Sequence, residues 1–111
     1  VEDEVLMDAV TAVSGSGPAY VFLLVELMAN AGIREGLPRD LAALLARATV
    51  AGAGSLLDAD DSPALTLREN VTSPGGTTAA ALEVLMSDEG LPNLMNRAIA
   101  AAAKRSKDLA N

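Results

Sequence analysis

An all-α fold of five or six helices follows from three features of this 111-residue sequence. Half of its residues are apolar but only 2% are aromatic, so the interior has to be built from Leu, Val, Ala and Met. That Ala-rich, aromatic-poor composition favours helices over sheets. Apolar residues recur at helical spacing along the chain, and no stretch of any length alternates as a strand would. The length suits a single domain, residues 1–111. A domain of this size buries only about two thirds of its unfolded surface, so an apolar content this high leaves surface over for a partner.

Each element has its own signal. Glu2, Asp3, Glu4 and Asp8 precede Ala9-Val10, as in a short helix whose N-terminal end favours negative charge. Ser14-Gly15-Ser16-Gly17-Pro18 is a run of turn formers and predicts a break. From Pro18, Tyr20 to Ala31 read as a helix apolar nearly all round, hence buried on most sides, which Gly32 and Gly36 end. Leu37-Pro38-Arg39-Asp40 opens the next helix with Pro in its first turn, and Leu41, Leu44, Leu45, Ala48 and Gly52 form one stripe. Gly52 and Gly54 each cost this helix roughly 1 kcal/mol relative to Ala, which predicts that a neighbouring helix approaches closely there. Asp58 to Asp61 read as a solvated loop, and Ser62-Pro63 as an N-cap and first-turn Pro for a short helix to Arg68 or Glu69. A polar, Gly-rich stretch, Asn70 to Thr78, runs into a helix whose Leu82, Leu85 and Met86 share a face and which Asp88-Glu89-Gly90 closes. Leu91-Pro92 begins the last helix, through Leu109, with Leu94, Met95, Ala98, Ile99 and Ala102 at core spacing. Its Lys104, Arg105 and Lys107 complement the dipole at the C-terminal end.

Composition also excludes function classes. Without Cys or His there is no thiolate chemistry, no Ser-His or Cys-His nucleophile and no usual zinc ligand set, so no metal site is expected. A net charge of −7 argues against a nucleic-acid partner. The apolar run from Pro18 to Val25 is broken by Glu26, short of the ~20 residues that span a bilayer, so no membrane association is expected. Val1-Glu2-Asp3-Glu4 has no signal-peptide pattern, and a cytoplasmic location is the expectation. The lack of an initiator Met predicts that the chain begins inside a longer protein.

One segment carries chemistry. A Gly-rich turn entering a helix presents unpaired N–H groups and the positive end of the helix dipole, which together bind anions. In Ser73 to Thr78, Pro74, Gly75 and Gly76 let the chain turn tightly and let a ligand approach the backbone. Ser73, Thr77 and Thr78 add hydroxyls. A carboxylate or a phosphate fits. The segment is not a phosphate-loop motif, lacking the Lys, nor a dinucleotide fingerprint, lacking a preceding strand and the third Gly. On the residues alone, an anion site and an ordinary loop with an N-cap both remain open.

The spelling of that segment, Val71-Thr72-Ser73-Pro74-Gly75-Gly76-Thr77-Thr78 followed by Ala81-Leu82, resembles the signature of pyrroline-5-carboxylate reductases. The resemblance extends through Asp8-Ala9-Val10-Thr11-Ala12, Ser14-Gly15-Ser16-Gly17-Pro18-Ala19-Tyr20, Gly36-Leu37-Pro38-Arg39 and Arg105-Ser106, in the family's order. One departure is Met86 after Leu85, where the signature usually has an acidic or amide residue. A larger one is the absence of the family's N-terminal dinucleotide-binding domain.

The resemblance implies a C-terminal helical domain like that of 6-phosphogluconate dehydrogenase, forming an interleaved homodimer that in some members assembles into decamers. It implies reduction of 1-pyrroline-5-carboxylate to L-proline, the last step of proline biosynthesis, with hydride from NADPH or NADH. The substrate, a small molecule, would be bound by Ser73, Gly75, Gly76, Thr77 and Thr78, and the hydroxyl of Thr78, the catalytic candidate, would reach the ring nitrogen. No cofactor is expected on this chain alone, which is predicted inactive by itself. Tyr20 and Ser14 to Gly17 are packing and helix-break residues first, and neighbours of the cofactor second. Glu26 and Asn30 are expected to hydrogen-bond within or across a dimer. Two other readings stand beside this one. The first is a non-catalytic helical dimerisation module. The second is a related dehydrogenase domain, which would place a catalytic Lys on a long helix, whereas Lys104 and Lys107 lie at the C-terminal end.

Overall fold

The computed structural model describes residues 2–110, and the described residues form six α-helices and one π-helical turn, with no strand. The helices are α1 (Glu2–Val10), α2 (Gly17–Arg34), α3 (Arg39–Ala59), α4 (Ala64–Asn70), α5 (Thr77–Leu85) and α6 (Leu91–Ala110), with the π turn at Thr11–Gly15. The all-α expectation holds. The chain divides into two units, the hairpin α2–α3 over Gly17–Ser62 and a second made of the residues up to Ser16 and from Pro63 onward.

In the hairpin, α2 ends in a Schellman motif. The Leu37 N–H donates to Gly32 O (3.0 Å) and the Gly36 N–H to Ile33 O (3.0 Å), while Gly36 takes φ +105°. Pro38 caps α3 from extended backbone (φ −57°, ψ 145°), with its carbonyl accepting from Ala42 N–H at 2.9 Å. Pro38 therefore stands one residue before the first turn in which the sequence reading put it. The seam between the helices is built from small residues. Ala42 and Ala46 are the buried positions of α3, and a methyl on Gly32 would lie 3.6 Å from Ala42 Cβ.

That seam corrects two expectations. The close helix approach occurs at Gly32, whereas Gly52 and Gly54 have nothing within 4 Å of the places their Cβ atoms would take. The leucine stripe of α3 is also not the seam, because Leu41, Leu44 and Leu45 are exposed. Nor is α2 buried: it has no buried residue, and Phe22 is 68% exposed. A two-helix hairpin has only one face to share, so an all-round apolar helix must find its remaining cover outside the hairpin.

In the other unit α1 and the π turn pack on α6. Ala12, on the π turn, is fully buried. The predicted break at Ser14 to Pro18 is instead this turn: the Ser16 N–H donates to Thr11 O, five residues back, at 2.8 Å. The extra residue shifts the ladder so that Pro18 falls in the first turn of α2, where its missing N–H is not needed. Ser106 Oγ donates to Asp8 Oδ1 at 2.8 Å, clasping α6 to α1 across 98 positions of sequence. Leu94 and Met95, expected at core positions, and Leu85 and Met86, expected to share a helix face, are 40–51% exposed. Ser62 is not the N-cap of α4. Its N–H is held by Asp60 Oδ1 at 2.8 Å, and Pro63 caps the helix through its carbonyl. The hydroxyl and N–H of Ser62 hold the Asp60 carboxyl below the usual carboxylate range. Asp58 belongs to α3 and not to the loop.

Gly90 joins α5 to α6. Its N–H donates to Ser87 O (2.8 Å) and its carbonyl accepts from Leu94 N–H (3.1 Å). A Cβ there would overlap the carbonyl oxygen of Leu85, a backbone atom that cannot swing away. Gly90→Ala is therefore expected to destabilise the chain by about 2–3 kcal/mol, and Gly36→Ala, which only forces Ala into left-handed backbone, by about 1–2 kcal/mol. Urea unfolding of both at one protein concentration checks the order.

Candidate functional site

The turn between α4 and α5 is assembled almost entirely by backbone. Where α4 ends, Thr72 ties off its carbonyls, the hydroxyl donating to Arg68 O at 2.6 Å and the N–H to Glu69 O at 3.1 Å. Ser73 to Gly76 then form a type II turn, closed by Gly76 N–H to Ser73 O at 3.0 Å. Pro74 presets the first central position, and Gly75 supplies the positive φ (+71°) that the second demands.

Gly76 is needed for a different reason. Its backbone is extended (φ −86°, ψ −175°), but a Cβ would lie 3.2 Å from the Ser73 carbonyl oxygen that closes the turn. As the N-cap of α5 it accepts from Ala80 N–H at 3.1 Å and offers no side chain to the first-turn amides. The N–H groups of Thr77, Thr78 and Ala79 thus point out of the helix start without an intrahelical acceptor. The hydroxyls of Ser73, Thr77 and Thr78 make no hydrogen bond to any described residue. Ser73, Gly75, Thr77 and Thr78 are exposed and Gly76 partly so.

All five candidates, Ser73, Gly75, Gly76, Thr77 and Thr78, therefore belong to one turn whose donors are accessible. Between Val71 and Leu82 no side chain titrates near neutral pH, so the site offers hydrogen bonds and a helix dipole but no acid or base of its own. Such a set of donors is able to hydrogen-bond an anion, with hydroxyls beside it. The Thr72 hydroxyl, which holds the loop's entry, was missed by sequence reasoning. The only signal for it was a Thr four residues after a helical Arg, a pattern common to any back-bonding Thr. Ser14 and Gly15 are on the π turn, and Tyr20, Glu26 and Asn30 are on α2. The turn follows a helix and no strand, so it does not provide the strand–turn–helix cradle of a dinucleotide pyrophosphate.

A family profile described as pyrroline-5-carboxylate reductase dimerisation matches residues 4–109. Among curated proteins, the chain is 49% identical over 107 residues to a pyrroline-5-carboxylate reductase of Arabidopsis thaliana, covering 96% of this chain and 38% of that protein. With the enzyme of the same name from Mycobacterium leprae it shares 48% identity, over 93% of this chain and 40% of the relative. Among solved structures, a pyrroline-5-carboxylate reductase from Coxiella burnetii superimposes with a TM-score of 0.88 at 41% identity, covering 95% of this chain and 38% of that one. A Plasmodium falciparum pyrroline carboxylate reductase with NADP bound gives 0.86 at 37% identity, over 95% of this chain and 40% of the other. The chain thus spans about two fifths of the length of these relatives.

Proposed function

The chain belongs to the pyrroline-5-carboxylate reductase dimerisation family, and on that premise we propose that it pairs two subunits of such a reductase and holds the substrate's carboxylate. The observation that carries the substrate part is the open turn at Ser73 to Thr78, with three first-turn amides and three unengaged hydroxyls on one short segment. The amides of Thr77 and Thr78 and the Ser73 hydroxyl hold the carboxylate of 1-pyrroline-5-carboxylate. The Thr78 hydroxyl bonds the ring nitrogen. Reduction adds a hydride to the imine carbon and a proton to nitrogen, giving L-proline, and NADPH or NADH bound elsewhere in the reductase supplies the hydride. A Thr hydroxyl is too weak an acid to be the proton's source, so Thr78 orients the imine and relays a proton from solvent.

The homodimer part is supported by the apolar surface left uncovered. Two helical stretches, Asp3–Arg34 and Arg39–Ala59, are long and apolar enough to cross a membrane by length and composition. Arg47 in mid-α3 and Glu26 with Asn30 in α2 would be costly in lipid, whereas a second protein chain can pair them. A second copy is therefore the cover that fits.

Taken alone, the 111-residue chain should bind L-proline weakly and NADPH not at all, and it should have no reductase activity. Amide chemical-shift changes on adding L-proline should centre on Gly75 to Ala79, and pyrrolidine, which lacks the carboxylate, should leave them unmoved. Shifts centred elsewhere would remove the carboxylate from this turn. Calorimetric titration with NADPH giving micromolar affinity would contradict the placement of the cofactor outside this chain.

A further inference from the structure

Thr72 stands where α4 hands over to the turn at Ser73 to Thr78, and two hydrogen bonds fix it there. Its hydroxyl donates to Arg68 O at 2.6 Å and its N–H to Glu69 O at 3.1 Å. The Val71 N–H also reaches Arg68 O, at a longer 3.3 Å. Among the described residues, no other side chain from Val71 to Thr78 makes a hydrogen bond.

The bond is local, but what it holds is not. Downstream of Thr72, the Gly76 N–H closes the turn on Ser73 O, and the Gly76 carbonyl starts α5 by accepting from Ala80 N–H. Ser73 and the amides of Thr77 and Thr78 thus lie along one run of hydrogen-bonded links whose upstream end is Thr72. Packing does not replace that anchor. Ser73, Pro74 and Gly75 are exposed, and nothing lies within 4 Å of the place a Cβ on Gly75 would take. Arg68 O also belongs to the C-terminal end of α4, where unpaired carbonyls carry partial negative charge. Left bare, it would present that charge at the entry of a turn that has to accept a carboxylate.

We infer that Thr72 is a positioning residue for substrate binding: its bond to Arg68 O holds Ser73 and the first-turn amides of α5 in carboxylate-binding geometry before the substrate arrives. The inference rests on the substrate reading above and adds to it the group that prepares the site. The hydroxyl proton of Thr72 is committed to Arg68 O, so the residue acts through Ser73 and the turn. A turn that visits other arrangements binds with an affinity reduced by the fraction of time spent in the competent one. Hydride addition leaves the carboxylate's charge unchanged, so the loss is equal in ground state and transition state and appears in the Michaelis constant.

The test compares Thr72→Val and Thr72→Ser, with Ser73→Ala and Thr78→Val alongside, in a reductase that carries this chain. Thr72→Val keeps the branched shape and loses the hydroxyl. It should raise the Michaelis constant for 1-pyrroline-5-carboxylate about tenfold and leave turnover within about twofold, as loss of one preorganising hydrogen bond does. Thr72→Ser keeps the hydroxyl and should stay close to the parent in both constants. Without substrate, deuterium uptake over Ser73 to Thr78 should be faster in Thr72→Val than in the parent. A parent-like Michaelis constant in Thr72→Val, with Ser73→Ala or Thr78→Val impaired, would overturn the inference and leave the turn as the substrate site. A raised constant with unchanged uptake would put the hydroxyl on the substrate itself and overturn it too. A Thr72→Val enzyme that does not fold, or a Thr72→Ser enzyme equally impaired, would make the residue merely structural, with the same consequence. Parent-like constants in Thr72→Val, Ser73→Ala and Thr78→Val together would remove the substrate reading and the inference with it.

Discussion

Replacing Thr78 by valine in a reductase that carries this chain is expected to lower turnover by on the order of 10²–10³-fold, the usual cost of removing one donor aimed at developing charge. The expectation comes from the position of Thr78 in the first turn of α5, beside amides that have no intrahelical acceptor, and from its exposed hydroxyl, which makes no hydrogen bond to described residues. Valine keeps the β-branched shape and the backbone amide, so the first-turn donors survive and only the hydroxyl is lost. If that hydroxyl bonds the ring nitrogen, the loss falls mainly on turnover, because electron density reaches nitrogen only as the hydride arrives. Ser73→Ala removes the hydroxyl proposed to hold the carboxylate before and during reaction alike, and so should raise the Michaelis constant, at a cost of about 1–2 kcal/mol. Near-wild-type steady-state constants in both variants would remove this turn from the active site. The turn has no titratable side chain, so neither substitution should shift the pH profile.

The turn was legible in the sequence because its determinants are local. Pro74 presets one dihedral, Gly75 supplies the left-handed one, and Gly76 avoids the Ser73 carbonyl, so three adjacent residues encode the geometry. Helix starts at α5 and α6 were legible for the same reason. Sequence reasoning failed where the determinant was not local. Ser62-Pro63 has the look of a Ser N-cap, but Asp60 had already taken the Ser62 N–H. Ser14 to Pro18 does mark the end of one helix and the start of the next, but the form of the interruption, a π turn with one bond spanning five residues, has no sequence pattern of its own. Asp8 and Ser106 pair across 98 positions of sequence, and no periodicity marks it. Burial was misjudged most consistently. Hydrophobic periodicity marks positions suited to cover, yet Leu44, Leu94 and Phe22 remain exposed because one chain supplies nothing to cover them.

That deficit leads to the second large effect expected: folding of this chain should be inseparable from its association. The buried apolar residues among those described are Ala12, Ala42 and Ala46, three of the smallest side chains available. Burying a Leu or Val stabilises by about 1.5–3 kcal/mol, and alanines supply far less, while ordering each residue costs about 1–2 kcal/mol. A lone chain therefore lacks the apolar burial needed to offset its own ordering. The accessible surface is 8653 Å², against roughly 5,700 Å² for a folded monomer of this mass. The difference is about 3,000 Å² per chain, or roughly 6,000 Å² for a pair, at the upper end of what obligate dimers cover. The 111-residue chain should then unfold directly from dimer to unfolded monomers, with no folded monomer between. Each tenfold dilution should remove about 1.4 kcal/mol of stability per dimer, and the thermal midpoint should fall with it. Circular dichroism melts over a hundredfold range of concentration, with sedimentation equilibrium at each, decide the point. A midpoint independent of concentration, or a helical monomer at high dilution, would show that the exposed leucines of α2, α3 and α6 are not what holds this fold together.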